Sequence, residues 1–138
     1  MYKFVAVAVV SLWSALALGE ELLVIADTTQ GILRLDKTSL LKEGKYTKAL
    51  LVYHFKQQQR FSSPPKDVFD DRKDEVLIDC ANPSMAMIAN RFFEGEKLVK
   101  TFVRKESDIK FQPSTPDTMV ETVVKMVCAT KPNSALTD

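Results

Sequence analysis

The order of the secondary-structure patterns constrains the fold of this chain more than any other feature. Short apolar runs separated by polar turns follow one another from residue 22 to residue 105, and such runs are typical of β-strands. A helical pattern appears only after them, near the C terminus. Strands and helices do not alternate, which argues against a parallel doubly wound sheet. The sequence therefore predicts an α+β fold, an antiparallel meander of about six strands with a C-terminal helix packed on one face.

The predicted strands are separated by residues that favour turns and loops. Asp36–Ser39 breaks the second run, and Lys42–Lys45 predicts a polar turn. The longest break is Lys56–Asp74, which contains the Pro64–Pro65 pair and many charges, so it is predicted to be an extended surface loop. Glu94–Gly95 predicts the turn of a late hairpin. The predicted strands are Leu22–Ala26, Ile32–Asp36, Tyr46–Phe55, Glu75–Cys80, Met85–Phe93 and Lys97–Lys105.

The C-terminal helix is predicted from valines that recur at helical spacing between Val120 and Val127. A further strand is the rival interpretation, because valine favours strands. Thr115 followed by Pro116 favours the helix, since a threonine cap with proline at the first helical position is a common helix start. Cys128 falls on the apolar side of this helix and is predicted to hold that side against the sheet.

The first 19 residues have the layout of a secretory signal peptide. Lys3 supplies one positive charge, Phe4–Leu18 carries none, and Ala17 and Gly19 are the small residues that precede a cleavage site. We predict cleavage between Gly19 and Glu20, with a second register offered by Ala15 and Ala17. The uncharged run is shorter than the roughly 20 residues of a membrane span, so an anchor is disfavoured. Lipid attachment is not predicted, because no cysteine lies near the cleavage site.

The predicted organisation of the chain is a signal peptide at 1–19, a single domain at 20–130 and a flexible tail at 131–138. Of the charged residues, cleavage removes only Lys3, so the remaining 18 acidic residues are balanced by an equal number of basic ones. This neutrality argues against general nucleic-acid binding. No later apolar run is long enough to span a membrane, so the exported chain is not expected to span one.

Cys80 and Cys128 are the only cysteines, and an even number in an oxidising compartment predicts a structural disulfide. The ring would span 48 residues, which the chain-entropy model values at about 4 kcal/mol. Metal ligation is disfavoured because His54 is the only histidine available as a further ligand of this type. Redox catalysis is disfavoured because the two cysteines are far apart in the sequence and do not form a Cys-x-x-Cys motif.

Few residues of this sequence have the type and spacing that a catalytic or metal-binding site requires. A triad of the Ser/His/Asp type would have to use His54, which lies in the middle of a predicted strand.

An acidic cluster lacks the spacing of a calcium loop, and basic residues are mixed into it, so a solvated loop is predicted. A row of basic residues on the late hairpin is likewise predicted to be a solvated sheet face. The acidic cluster is Asp67, Asp70, Asp71, Asp74 and Glu75, and the basic row is Arg91, Lys97, Lys100, Arg104 and Lys105. We predict no enzymatic activity, no metal and no cofactor.

Several short segments occur in an order that resembles the bacterial surface-adhesin protein E family. They extend from about residue 22 to residue 128, nearly the whole predicted domain. The resemblance implies an antiparallel sheet and a C-terminal helix held by a disulfide, which agrees with the fold predicted from the residues alone. The segments are Leu33–Ser39, Ile78–Cys80, Arg91–Val99, Phe111–Thr115 and Val127–Cys128.

The family's named member is an outer-membrane protein that binds host matrix and plasma proteins. The resemblance therefore implies an exported, non-enzymatic binding protein that contacts a protein partner, with host matrix proteins as the implied class. It also implies a location in the periplasm, in the medium or on the cell surface of a Gram-negative bacterium. The contact is expected on a sheet face or on the predicted Lys56–Asp74 loop. The alternatives are a periplasmic small-ligand-binding protein and an accessory protein whose exposed strand edge pairs with a partner.

Overall fold

The structure, a computed structural model, describes residues 21–132. The predicted signal peptide, its Gly19–Glu20 cleavage site and the last six residues of the predicted tail lie outside that range. Six long strands form an antiparallel meander in which neighbours in the sheet are neighbours in the sequence. The strands are β1 (Leu22–Asp27), β2 (Gly31–Glu43), β3 (Tyr46–Arg60), β4 (Val68–Asp79), β5 (Ser84–Glu94) and β6 (Lys97–Val103). The predicted meander is confirmed.

The chain returns to the sheet after β6 before it forms its helix. A 3-10 turn at Glu106–Asp108 leads to β7 (Gln112–Pro113), which pairs with the start of β5 beyond the end of β6. The helix α1 spans Met119–Ala129, so the helical interpretation is confirmed. It begins at the cap Thr118, whose hydroxyl accepts a hydrogen bond of 3.3 Å from the Glu121 N–H.

The prediction of Thr115 as the helix cap is wrong. Pro116 lies in a turn, and Asp117 has a positive φ of 61°, which takes the backbone out of the helical path. The Thr115 carbonyl instead accepts a hydrogen bond of 2.7 Å from the Thr118 hydroxyl. The sequence signal of threonine before proline therefore marks the turn that precedes the helix.

The main core lies between α1 and one face of the sheet, which we call the covered face. Three valines of the helix are buried against apolar side chains from β2, β3 and β4. Alternation along the strands brings these side chains to one face. The buried side chains of this core are Leu33, Leu35, Leu40, Ala49, Leu51, Val76, Ile78, Val123, Val124 and Val127.

Three strands, β2, β3 and β4, are markedly longer than the sequence pattern predicts. β2 continues through Asp36–Ser39 to Glu43, with an irregular register between Asp36 and Leu41. Within this bulge the Ser39 hydroxyl donates to the Asp36 carbonyl at 2.6 Å and accepts from the Leu50 N–H at 2.8 Å. The Ser39 hydroxyl thus takes the place of a backbone hydrogen-bonding partner. β2 can therefore continue although the alternation of buried and exposed residues is interrupted there.

The predicted Lys56–Asp74 loop is also wrong in extent. β3 continues to Arg60 and β4 begins at Val68, so the connection covers only residues 61–67. Most of the acidic cluster lies within β4 instead of in a solvated loop, because its carboxylates pair with groups on neighbouring strands. Phe61, the first residue of the connection, packs against Phe69 and Phe92 with ring centroids 4.6 and 5.0 Å away.

The late hairpin of β5 and β6 turns at Gly95, as predicted. This glycine has a φ of 58°, which suits a two-residue hairpin turn. A register shift between Phe92 and Phe93 interrupts the simple alternation predicted for β6, and no residue of this edge strand is buried.

Candidate interaction surface

The sheet face opposite α1, which we call the open face, is formed by residues that alternate with those of the core. Arg34, Val52 and Lys73 pair directly across β2, β3 and β4 on this face, between the buried residues of the covered face. These three side chains are half-exposed. The open face therefore presents a broad surface of mixed polar and apolar character to solvent.

An ion-pair ladder crosses the centre of the open face. The Glu75 carboxylate on β4 lies 2.5 Å from the Lys48 ammonium on β3 and 3.3 Å from the Arg91 guanidinium on β5. Lys48 also lies 3.9 Å from Glu43. Glu75 is directly opposite Leu50 and Ala89, so Lys48 and Arg91 are its diagonal neighbours. Long side chains of opposite charge reach across such diagonals and stabilise the sheet.

The ladder shifts the pKa values of two of its members. Burial alone would raise the pKa of Glu75, but the hydrogen bonds from Lys48 and Arg91 outweigh it and hold the pKa below its ordinary value. The hydrogen bond to Glu75 raises the pKa of the Lys48 ammonium above its ordinary value, against the opposing effect of burial. Both shifts favour the charged forms across the neutral pH range.

Replacing Glu75 by Gln tests this ladder. We expect Glu75→Gln to lower the free energy of unfolding by about 1 kcal/mol at pH 7, because the partly exposed pairs are screened by water. A carboxyl group whose pKa is lower in the folded state stabilises the fold above its unfolded pKa of about 4.3 and loses that effect as the pH falls. The difference between the two proteins in urea titrations should therefore shrink below about pH 4. Exposed Glu96→Gln is the control, and an equal effect there would contradict the ladder.

His54 lies on the open face beside a carboxylate. Its Nδ1 is 2.7 Å from the Asp71 Oδ1 across the β3–β4 pairing, and the histidine side chain is exposed. An imidazole oriented by a carboxylate could act as a base only with a substrate or nucleophile beside it. The pair lies on an exposed strand surface, where it links the two strands.

Exposed apolar side chains surround the open face. They lie at its edges, on β1, on the end of β2 and on β6, and the strand pairings put them on the same face as the ion-pair ladder. Val24 is 55% exposed and Val103 is 70% exposed. This apolar rim consists of Leu22, Val24, Leu41, Leu98 and Val103.

A group of aromatic rings extends the covered face beyond the helix. The rings meet mostly edge-to-face, with centroids 4.5–5.8 Å apart, and only Phe102 is strongly exposed. Two cations lie over them: Arg72 over Tyr53 and Phe55, and Lys100 over Phe61 and Phe102. This aromatic row consists of Tyr53, Phe55, Phe61, Phe69, Phe92 and Phe102.

The two predicted disulfide residues are bonded to each other. The bond joins the residue after β4 to the last turn of α1. Cys128 is exposed and does not lie on the buried side of the helix, so that part of the prediction is wrong. The buried positions are taken by Val123, Val124 and Val127, and the bond ties the helix down from its flank.

Three further kinds of site can be examined in residues 21–132: a metal site, a membrane-spanning helix and a basic patch. Among them, no group of three or more His, Cys, Asp and Glu side chains is arranged to hold a metal ion. In the same part of the chain, α1 is too short and too polar to cross a membrane. The basic residues of the late hairpin do not form one patch: Arg91 pairs with Glu75, and Lys100 lies over aromatic rings on the other face.

Comparison with known proteins agrees with this architecture. A sequence profile described as surface-adhesin protein E matches residues 21–129. The chain belongs to the surface-adhesin protein E family. No curated protein sequence matches it significantly.

Solved structures of protein E from Haemophilus influenzae share the fold of this family member. The selenomethionine form is 15% identical, with a TM-score of 0.54 over 81% of this chain and 93% of that one. Crystal form II is 16% identical, with a TM-score of 0.55 over 76% of this chain and 91% of that one. Protein E from a non-typeable strain is 15% identical, with a TM-score of 0.55 over 80% and 86% of the two chains. At such identities the likeness establishes the common fold.

Proposed function

We propose that this surface-adhesin protein E family member is an exported, non-enzymatic binding protein that contacts a protein partner through its open face. Family membership supports an adhesin-like surface protein. The observation that carries the choice of surface is the apolar rim, whose members are all exposed on one side of the sheet. Host matrix proteins are the partner class that the family implies.

The open face has the composition of a protein-binding surface. Exposed apolar side chains on both edge strands rim the polar centre of this face, so a partner that covers the face buries apolar groups at each edge. The charges of the ladder are already paired within the sheet, so a partner gains little by pairing with them. The rim side chains would therefore supply most of the buried apolar area, and the half-exposed centre would supply hydrogen bonds.

Binding to immobilised extracellular-matrix and plasma proteins tests this proposal. We expect the disulfide-bonded protein to bind at least one of them, and Val24→Lys and Val103→Lys to weaken that binding at least tenfold, on the order of 1.4 kcal/mol. Both positions are exposed, so the fold should tolerate the changes. Met119→Lys is the matched control, since Met119 is an exposed apolar residue on the helix. Binding no stronger than that of an unrelated exported domain would refute the proposal.

The export half of the proposal has its own test. Fractionation of the native host followed by N-terminal sequencing should give a mature chain that begins at Glu20 and lies outside the cytoplasm. A chain that retains Met1 in the cytoplasm would refute export.

A further inference from the structure

A cavity of about 310 Å³ lies at the end of the sheet where the β1–β2 turn meets the extension of β3. Its volume is at the lower end of the range for small-molecule sites. It would hold roughly ten water molecules, which is close to the heavy-atom count of one hexose ring. The lining residues are Thr29, Gln30, Phe55, Gln57 and Gln59.

The cavity lining is polar but carries no charge. It offers one hydroxyl and three carboxamides, each of which both donates and accepts hydrogen bonds, together with one aromatic ring. Of the charged residues nearest to the lining in the sequence, Asp27 and Lys56 pair with each other at 2.8 Å, and the Arg60 guanidinium donates to the Lys66 carbonyl at 2.8 Å. An anionic or cationic ligand would therefore find no opposite charge among the lining groups, and a purely apolar ligand would leave the hydroxyl and the carboxamides without partners.

The hairpin turn of this cavity is held in place by its own hydrogen bonds. The Thr28 hydroxyl donates to the Gly31 carbonyl at 3.1 Å and accepts from the Gln30 N–H at 3.3 Å. The Gln30 carbonyl accepts from the Lys56 N–H at 2.9 Å, which ties the turn to β3. Gly31 permits this close approach, because a Cβ there would overlap the His54 carbonyl.

Two of the lining side chains from β3, those of Phe55 and Gln59, also have partners before any ligand arrives. Phe55 is packed edge-to-face against Tyr53 and Phe69, with ring centroids 4.5 and 5.4 Å away. The Gln59 side-chain amide donates to the Gln57 carbonyl at 2.9 Å. Such preorganisation reduces the entropy lost when a ligand binds.

We propose that this cavity binds one neutral pyranose unit of a glycan. Sugar hydroxyls both donate and accept hydrogen bonds, so carboxamides and a hydroxyl complement them. The C–H groups on one face of a pyranose ring pack against an aromatic ring, and Phe55 supplies that ring. The site is formed by the side of β3 that carries Phe55, Gln57 and Gln59, away from the open face, so it stands independently of the proposed protein contact.

Nuclear magnetic resonance with methyl glycosides tests this site directly. The probes are the methyl pyranosides of glucose, galactose and mannose and of N-acetylglucosamine, added to the isotope-labelled, disulfide-bonded protein. We expect at least one to bind with millimolar affinity, which is ordinary for a ligand with few non-hydrogen atoms. The amide shifts that change should be those of Thr29, Gln30, Gln57 and Gln59.

Neighbouring glutamines provide a matched set of variants. Gln57→Ala removes one lining amide and should weaken binding about tenfold, whereas Gln58→Ala, outside the lining, should leave it unchanged. Phe55→Leu keeps an apolar side chain but removes the ring, and should also weaken binding, with the circular dichroism spectrum confirming the fold.

Three results would overturn the glycan proposal. The first is no binding of any of the four glycosides, and the second is equal weakening by Gln58→Ala. The third is stronger binding at the same residues of an uncharged capped peptide such as acetyl-Gly-Gln-Gly-amide, which would make the cavity a peptide site.

Discussion

Replacing both cysteines by serine is expected to lower the free energy of unfolding by about 4 kcal/mol. The bond between Cys80 and Cys128 closes a ring of 48 residues, and opening it restores the conformational entropy of that ring to the unfolded chain. A domain of this size has a total stability of about 5–15 kcal/mol, so the loss is a large fraction of it. Urea denaturation of the two proteins in parallel measures the difference.

The folded state itself should change little in the serine variant. Val123, Val124 and Val127 remain buried against the sheet, and Thr118 still caps the helix. Because both cysteines are exposed, a mild reducing agent should reach the bond without unfolding the protein. Reduced wild-type protein and the double variant should then have the same free energy of unfolding, and a loss below about 1 kcal/mol in both would contradict the entropic account.

Local sequence patterns were enough to predict the meander and the helix. Each hairpin has its own turn residues, and the valines of α1 recur at helical spacing. The patterns failed where a local signal was overridden by distant partners. The strand through Asp36–Ser39 depends on the Ser39 bond to Leu50, and the charged half of β4 depends on partners in β3 and β5. Such partners are known only once the register is known.

The candidate surfaces could be predicted only in part. A solvated sheet face was expected, but the rim requires the register that brings Val24 and Val103 to the same side. The aromatic row brings together rings from four strands and one connection, from Tyr53 to Phe102, and no short motif signals it. The run Gln57–Gln59 is the only part of the amide-lined cavity that is visible as a pattern in the sequence. That this run lines a cavity depends on the β1–β2 turn beside it, which the run itself does not indicate.

Asp74 is the buried charge whose removal should cost the most. It is 2% exposed, on the covered face between the aliphatic core and the aromatic row. Its carboxylate accepts hydrogen bonds from the Arg72 Nε at 2.9 Å and from the Asn90 side-chain amide at 2.6 Å. Burying a carboxylate in this way is tolerated only because both donors satisfy it.

We expect Asp74→Ala to lower the free energy of unfolding by about 3 kcal/mol. The change leaves the Asn90 amide without its oxygen partner and leaves the Arg72 guanidinium without its counter-ion. Both donors are partly buried, so water replaces the lost carboxylate only in part and the loss is costly. Arg72 should then move from its position over Tyr53 and Phe55, which near-ultraviolet circular dichroism would detect through the aromatic signal.

Asp71→Ala is the matched control on the same strand. Asp71 lies on the open face and pairs with the exposed His54, so its loss should cost less than about 1 kcal/mol. Asn90→Ala combined with Asp74→Ala completes a double-mutant cycle, which should give a coupling energy of about 1–2 kcal/mol between the two residues. Equal losses for Asp74→Ala and Asp71→Ala, with no coupling to Asn90, would mean that this network does not hold the aliphatic core and the aromatic row together.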